Sequence, residues 1–135
     1  MVVDRVGVSF EPELLEKFDN LIKAQGYTNR SEAIRDLVRK AIIDSDIKAE
    51  KGEVIGTLTI VYDHHVGDVT NKLMHIQHHH HSETEFTTHI HVDEKTCLEV
   101  LVVRGRASRV RKLADNIRAI KGIKTGELVL TKTNF

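Results

Sequence analysis

At 135 residues the chain has room for one ordinary domain or two small ones, and its 40% hydrophobic content allows a sizeable core. Aromatics are only 4%, with no Trp, so that core must be built from Val, Ile and Leu. The formal net charge of zero excludes an argument from overall charge for a nucleic-acid or membrane partner, and the single cysteine excludes an internal disulfide. With no signal peptide or long apolar run, the expectation is a soluble cytoplasmic protein, where a thiol stays reduced and can bind metal.

Charge divides unevenly along the chain. Residues 1–50 carry eight Lys/Arg against ten Asp/Glu, a net of −2, and residues 51–135 carry twelve against ten, a net of +2. Near the start, Val6, Val8 and Phe10 alternate with Arg5, Gly7 and Ser9, which predicts a short strand with one apolar side. Pro12 suits a first helical turn, Leu14, Phe18, Leu21 and Ile22 recur at helical spacing, and Gly26 ends the run. Asn29 is a good N-cap for a second helix, with Glu32 three residues on as in a capping box, and Ile34, Leu37, Val38, Ala41 and Ile42 form its apolar stripe. A strand–helix–helix unit of this size is near the lower limit for independent folding, and a lone strand cannot satisfy its own backbone. The missing strand is expected from a second copy, giving an obligate dimer with a two-stranded antiparallel ribbon.

The charged stretch DSDIKAEKGE (44–53) reads as a linker or helix tail. Beyond it come a strand over 54–62, a helical stripe over 66–78, and strands over 86–92 and 97–103 joined by DEKT. A helix over 107–120, a turn at KGIKTG (121–126) and a last strand at ELVLTKT complete the chain. The order β-α-β-β-α-β is the ferredoxin-like split motif. The fold expected is α+β, with a ribbon-helix-helix unit at 1–48 and a ferredoxin-like domain at 53–135.

The stretch QHHHHSETEFTTHIHVDEKTC (77–97) concentrates six of the nine histidines and the only cysteine. His89 and His91 are two apart on a strand and share a face, and antiparallel pairing brings Cys97 of the next strand beside them. A fourth ligand is available from the run His78–His81. Four histidines in a row also suit a solvated helix end, and a strand cysteine also suits a small buried apolar side chain. Three such signals at compatible positions favour a metal. Nitrogen and thiolate donors exclude Mg and Ca; tetrahedral closure suits Zn, and square-planar closure suits Ni(II) or Cu(II).

The segment GYTNRSEAIRDLVR (26–39), the run QHHHH (77–81), HIHV (89–92) and CLE (97–99) together resemble the nickel-responsive ribbon-helix-helix repressors, the NikR family. The resemblance covers essentially the whole chain. It implies a DNA-binding ribbon-helix-helix domain joined to an ACT-type metal domain, in a homotetramer built as a dimer of dimers. It implies one Ni(II) per chain, held in a square plane by His89, His91 and Cys97 of one chain and His78 of a neighbour. A ligand shared between subunits would couple metal occupancy to operator binding. It also implies a second cation site at Glu32 and Asp36, whose plainer reading is capping and solvated charge. The function implied is a nickel-dependent repressor, with nickel uptake as its target.

In such a fold the ribbon enters the major groove, which makes Arg5, Gly7 and Ser9 the base-facing positions. Gly7 departs from the hydrogen-bonding residue expected there and removes one contact per strand. Asn29, Arg30 and Ser31 at a helix start would anchor phosphates of a palindromic operator, with Arg35 a further candidate. Tyr62, Gln77 and Glu99 are candidates for hydrogen bonding around the metal ligands. His64, His65 and His75 are candidates for weaker metal sites, and Arg104, Arg106, Arg109, Arg111 and Lys112 form a basic patch. Rival readings are a sensor of Cu, Co or Zn, a metal store or chaperone, and a metal enzyme; the enzyme is disfavoured because no general base stands out and the DNA-binding unit would have no role.

Overall fold

A computed structural model describes residues 2–134. The chain divides into two compact units between Ala41 and Ile42. In the first, α1 (Pro12–Ala24) begins with Pro12 at its start, where a missing N–H costs nothing, and ends before Gly26, whose φ of +89° suits glycine. The helix α2 (Arg30–Lys48) is capped as expected: Asn29 Oδ1 accepts from the Glu32 amide at 2.8 Å. Among the described residues of this unit only Ile22 and Ala33 are buried, while Leu14, Leu21, Leu37 and Val38 stay about half exposed.

Residues 2–10 form neither helix nor strand in the single chain, and Val6 and Val8 are exposed. The expected strand has no ladder to join here. Strand hydrogen bonds need a second strand, and none exists within this unit. The stretch 44–53 resolves into a helix tail and a turn. Helix α2 runs on to Lys48, Ile47 is buried, and Glu50 and Gly52 take positive φ values of 56° and 67° to reverse the chain.

The second unit is a four-stranded antiparallel sheet, in the order β2-β3-β1-β4, with β1 Glu53–Asp63, β2 Thr84–His91, β3 Thr96–Arg106 and β4 Ile123–Thr131. Helices α3 (Val69–His79) and α4 (Ala107–Arg118) supply the apolar side chains that pack with the strands. Alternation explains the core. Leu58 and Ile60 of β1 and Leu101 and Val103 of β3 are fully buried, packed with Val69 and Leu73 of α3 and Val110, Leu113 and Ile117 of α4. The other sheet face stays open: Phe86, Ile90 and Val129 are each more than half exposed. This is the ferredoxin-like arrangement expected from the element order.

The turn expected over 121–126 is shorter, and β4 starts at Ile123. Gly122, at φ +108°, makes the turn, whereas Gly126 is a strand residue. A side chain at Gly126 would meet Arg118 Cγ at 2.9 Å, and Arg118 Nε donates to the Gly126 carbonyl at 2.8 Å. The glycine that reads as a turn marker is there to admit an arginine. Gly56 is tighter still, since a Cβ would lie 2.0 Å from the Val129 carbonyl oxygen. Gly56→Ala should therefore prise β1 from β4 and lower stability by about 1–3 kcal/mol, read by urea unfolding; an unchanged midpoint would show that the strands separate freely there.

Candidate metal centre

The site is built by the β2–β3 hairpin. In the turn between them, Asp93 Oδ1 accepts from the amides of Lys95 at 2.9 Å and Thr96 at 2.8 Å, which holds its carboxyl below the usual range. The Val92 amide donates to the Thr96 carbonyl at 2.8 Å. This closure sets the register, pairing His91 with Cys97 and His89 with Glu99. His89, His91, Cys97 and Glu99 therefore share the helix-covered face, and His91 Nδ1 lies 3.4 Å from Cys97 Sγ. His89 and His91 stand with ring centroids 5.5 Å apart.

Strand β1 flanks β3 on the other side, with Tyr62 opposite Cys97. Just past its end, His64 is brought in. One ligand atom each from His64, His91 and Cys97 lies within 4.8 Å of the others, the one such group of three His, Cys, Asp or Glu among the described residues. His89, the third member of the expected trio, lines the same pocket but falls outside this tighter group. Cys97 belongs to a central strand with neighbours on both sides, so ligands reach it from β2 and from the β1 end alike. Sequence spacing shows the hairpin partner and hides the other. His64 Nε2 donates to the Glu94 carbonyl at 2.7 Å, which leaves Nδ1 as its acceptor.

These groups line a pocket of about 410 Å³ that also includes Tyr62, Leu73, Gln77 and Glu99. Glu99 is buried and accepts from Gln77 Nε2 at 2.8 Å and from Tyr62 Oη at 3.4 Å. Burial, with Glu99 and Cys97 close by, pushes the Tyr62 phenol up to about 12, so it keeps its proton and donates. The three candidates for hydrogen bonding around the ligands thus form one network, tying α3 to β3. Two imidazoles and a thiolate converging in a half-enclosed pocket suit a borderline or soft divalent metal.

His78 does not join this group. It is exposed on the last turn of α3, its ring 6.4 Å from that of His81. Among the run, His80 alone is buried, and burial pushes its imidazole below the ordinary value while Glu83 opposes the shift. His65 stacks on His64 at 4.1 Å, and His75 lines a different hollow beside Lys72 and Ile120.

At the other expected sites, Arg5, Gly7, Ser9 and Ser31 are exposed. Arg30 is engaged by Asp19 through two hydrogen bonds of 2.8 Å, which hold the Asp19 carboxyl below the usual range. Both carboxylate oxygens of Asp36 accept hydrogen bonds, from Tyr27 at 2.6 Å and from Arg39 at 3.0 Å, and Glu32 is exposed beside it. In the basic patch, Arg104 pairs with Glu85, Arg109 with Glu83 and Arg111 with Glu50. Those pairs neutralise much of the patch and favour a solvated face over a phosphate surface.

Glu83 is the buried end of one such pair. Burial pushes its carboxyl up, but hydrogen bonds from Arg109 and Ser82 and the neighbouring charges outweigh it, so the net shift is downward from 4.5. A depressed folded-state value contributes stability above the unfolded value, lost as pH falls through the folded one. Glu83→Gln should destabilise the metal-free protein near pH 7 by about 1–3 kcal/mol, read as a lowered melting temperature, and flatten the decline of that temperature on acidification below about pH 4.5. Equal slopes of melting temperature against pH in both proteins would remove Glu83 as a source of acid sensitivity.

Comparison with known proteins agrees with this architecture. Residues 55–131 match the family described as the NikR C terminal nickel binding domain, and residues 4–45 match the ribbon-helix-helix proteins of the copG family. A relative in Geobacter metallireducens is 50% identical over 129 residues, covering 96% of this chain and 93% of its own. One in Pyrococcus furiosus is 49% identical over 133 residues, covering 98% and 96%. Both are named for nickel-responsive regulation. An uncharacterized protein of Thermotoga maritima shares the fold over 59% of this chain and 99% of its own, at a TM-score of 0.54 and 17% identity. With both halves matched in order and half the residues identical along nearly the full length, the chain belongs to the family of nickel-responsive regulators, which join a ribbon-helix-helix domain to a nickel-binding domain and are not enzymes.

Proposed function

We propose that the protein is a nickel-dependent repressor, acting in the cytoplasm on a palindromic operator that controls nickel uptake. The observation that carries this reading is the division of donors. His91 and Cys97 meet at 3.4 Å inside a pocket, with His89 beside them, while His78 stands exposed on the end of α3. One Ni(II) per chain would be held by His89, His91 and Cys97, with His78 arriving from a neighbouring subunit to close a square plane. Binding across a subunit boundary stabilises one quaternary arrangement over others, and that is the coupling a metal-dependent repressor needs.

Assembly is supported from both ends of the chain. The N-terminal unit leaves Val6, Val8, Leu14, Leu21, Leu37 and Val38 at least half exposed, more apolar surface than so small a unit tolerates alone. A second copy would cover it and supply the missing ribbon strand. The open sheet face at Phe86, Ile90 and Val129 offers a second apolar surface, enough to join such dimers into a tetramer. In the ribbon, Arg5 and Ser9 would face bases across Gly7, with Asn29, Arg30 and Ser31 on phosphates. A cation at Glu32 and Asp36 would displace Tyr27 or Arg39 from the Asp36 carboxylate.

One other reading has an observation behind it. His64, His91 and Cys97 offer three donors within one chain, which suits capture of a tetrahedral metal such as Zn with no ligand from another subunit. Titrating operator binding with Ni(II), Cu(II), Co(II) and Zn(II) at fixed salt separates the two. Nickel should raise operator affinity by about 5–150-fold, and Cys97→Ala should abolish the rise. Equal affinity of metal-free and nickel-loaded protein for the operator would overturn the reading, and a response to zinc alone would favour the second.

The Arg30–Asp19 pair yields a separate expectation. Asp19→Asn frees the guanidinium and removes a negative charge close to it. Operator affinity should rise, and the slope of log affinity against log salt should steepen by about one per freed contact. An unchanged slope would take Arg30 off the phosphates.

A further inference from the structure

The run His78–His81 contains one residue unlike its neighbours. His80 is 5% exposed, whereas His78, His79 and His81 lie on the surface. Its ring is packed where an apolar side chain would serve, yet it is polar, and its Nδ1 is the one buried side-chain nitrogen or oxygen without a hydrogen-bond partner among the described residues. Native proteins seldom leave such an atom unpaired, so the imidazole must supply something an apolar side chain does not.

What surrounds it is an anchor. His80 Nε2 lies 3.5 Å from the Asn116 amide nitrogen on α4. An amide nitrogen only donates, so Nε2 accepts and the ring proton sits on Nδ1. That proton faces Glu83 Oε2 at 3.8 Å, beyond hydrogen-bond length. Glu83 is itself held by Arg109 of α4 and by Ser82 Oγ at 3.0 Å. The main chain adds to the hold. The His80 amide donates to Ile76, and the His80 carbonyl accepts from the Glu83 amide at 3.0 Å and from Thr84 Oγ1 at 3.3 Å. The end of α3 is thereby stapled to α4 and to the start of β2.

Helix geometry turns this anchor into a statement about His78. Successive helix residues are about 100° apart, and His80 caps α3 with its amide still bonded to the Ile76 carbonyl, so His78 and His80 point in nearly opposite directions. Fixing the His80 ring inward against α4 sends the His78 ring outward. We propose that His80 is the positioning residue for His78: its buried ring sets the rotation of the last turn of α3, and so the direction from which His78 can reach a metal held by another subunit. This rests on the reading that His78 is the shared nickel ligand. An apolar side chain at 80 would fill the space but leave the turn free to rotate, because the polar contact of Nε2 with Asn116 fixes the ring plane.

The test compares the full-length protein, His78→Ala, His80→Leu and the double variant. Nickel affinity is read by chelator competition, and the nickel–thiolate absorption band is recorded for each. His80→Leu should weaken nickel binding by about 10–100-fold, as loss of an orienting partner does at metal sites, and shift the band to the form that His78→Ala gives. The double variant should bind no more weakly than His78→Ala alone, since residues acting through one contact are not additive. His80→Gln, whose amide can still meet Asn116, should recover most of the affinity.

Wild-type affinity in His80→Leu, or additive losses in the double variant, overturns the proposal. Should His80→Leu not fold, Asn116→Ala removes the ring's partner from an exposed position on α4 and must give the same band shift; an unchanged band there overturns it equally. The failure of the underlying reading looks different. In that case His78→Ala itself binds nickel as the wild type does.

Discussion

The structure depends first on the register of the antiparallel ladder around β3. Cys97 is paired with His91 on one side and Tyr62 on the other, and this puts a thiolate, two histidine rings and a buried carboxylate on one face. Side chains alternate along a strand, so a slip of one residue would send Cys97 and Glu99 to the open face and replace them with Leu98 and Val100. The Asp93 turn and the Gly56 contact both resist that slip, one at the hairpin end and one through the neighbouring strand. The apolar core and the candidate metal centre are therefore products of a single alignment.

From that alignment the helices inherit their roles. Helix α3 buries Val69 and Leu73 against the sheet, and Gln77 reaches back to Glu99 beneath the site. The last turn of α3 holds Gln77 facing in and His78 facing out, and the capping residue His80 faces in again. The α3 side chain nearest the pocket, Gln77, thus holds Glu99, while the His78 ring faces solvent. In the N-terminal unit residues 2–10 form no strand, and among its described residues only Ile22 and Ala33 are buried.

Much of this was legible beforehand because it rests on local periodicity. The alternation in β1 and β3, the stripes of α1 and α4, the Asn29 cap and the order of elements follow from residue spacing, which secondary structure must obey. Cys97 beside His91 followed from a short turn and antiparallel pairing. What escaped was non-local. His64 reaches the site from the far neighbour of a central strand, 33 positions before Cys97. Gly126 reads as a turn residue and is a strand residue facing Arg118. His80 is indistinguishable from its neighbours in a row of four, because composition does not say which side of a helix faces a second helix.

The sequence by itself determined the element order, the two-part organisation and the residue types available to a metal, since each is set by spacing within about ten residues. It also raised the expectation that an N-terminal strand looks outside its own unit for a partner, because backbone groups seldom go unpaired. Tertiary structure alone decided which donors converge, which histidine is buried, and which arginines are already engaged by carboxylates. Those outcomes depend on distances between segments far apart in the chain, and such distances are fixed only when the sheet and its helices close on one core.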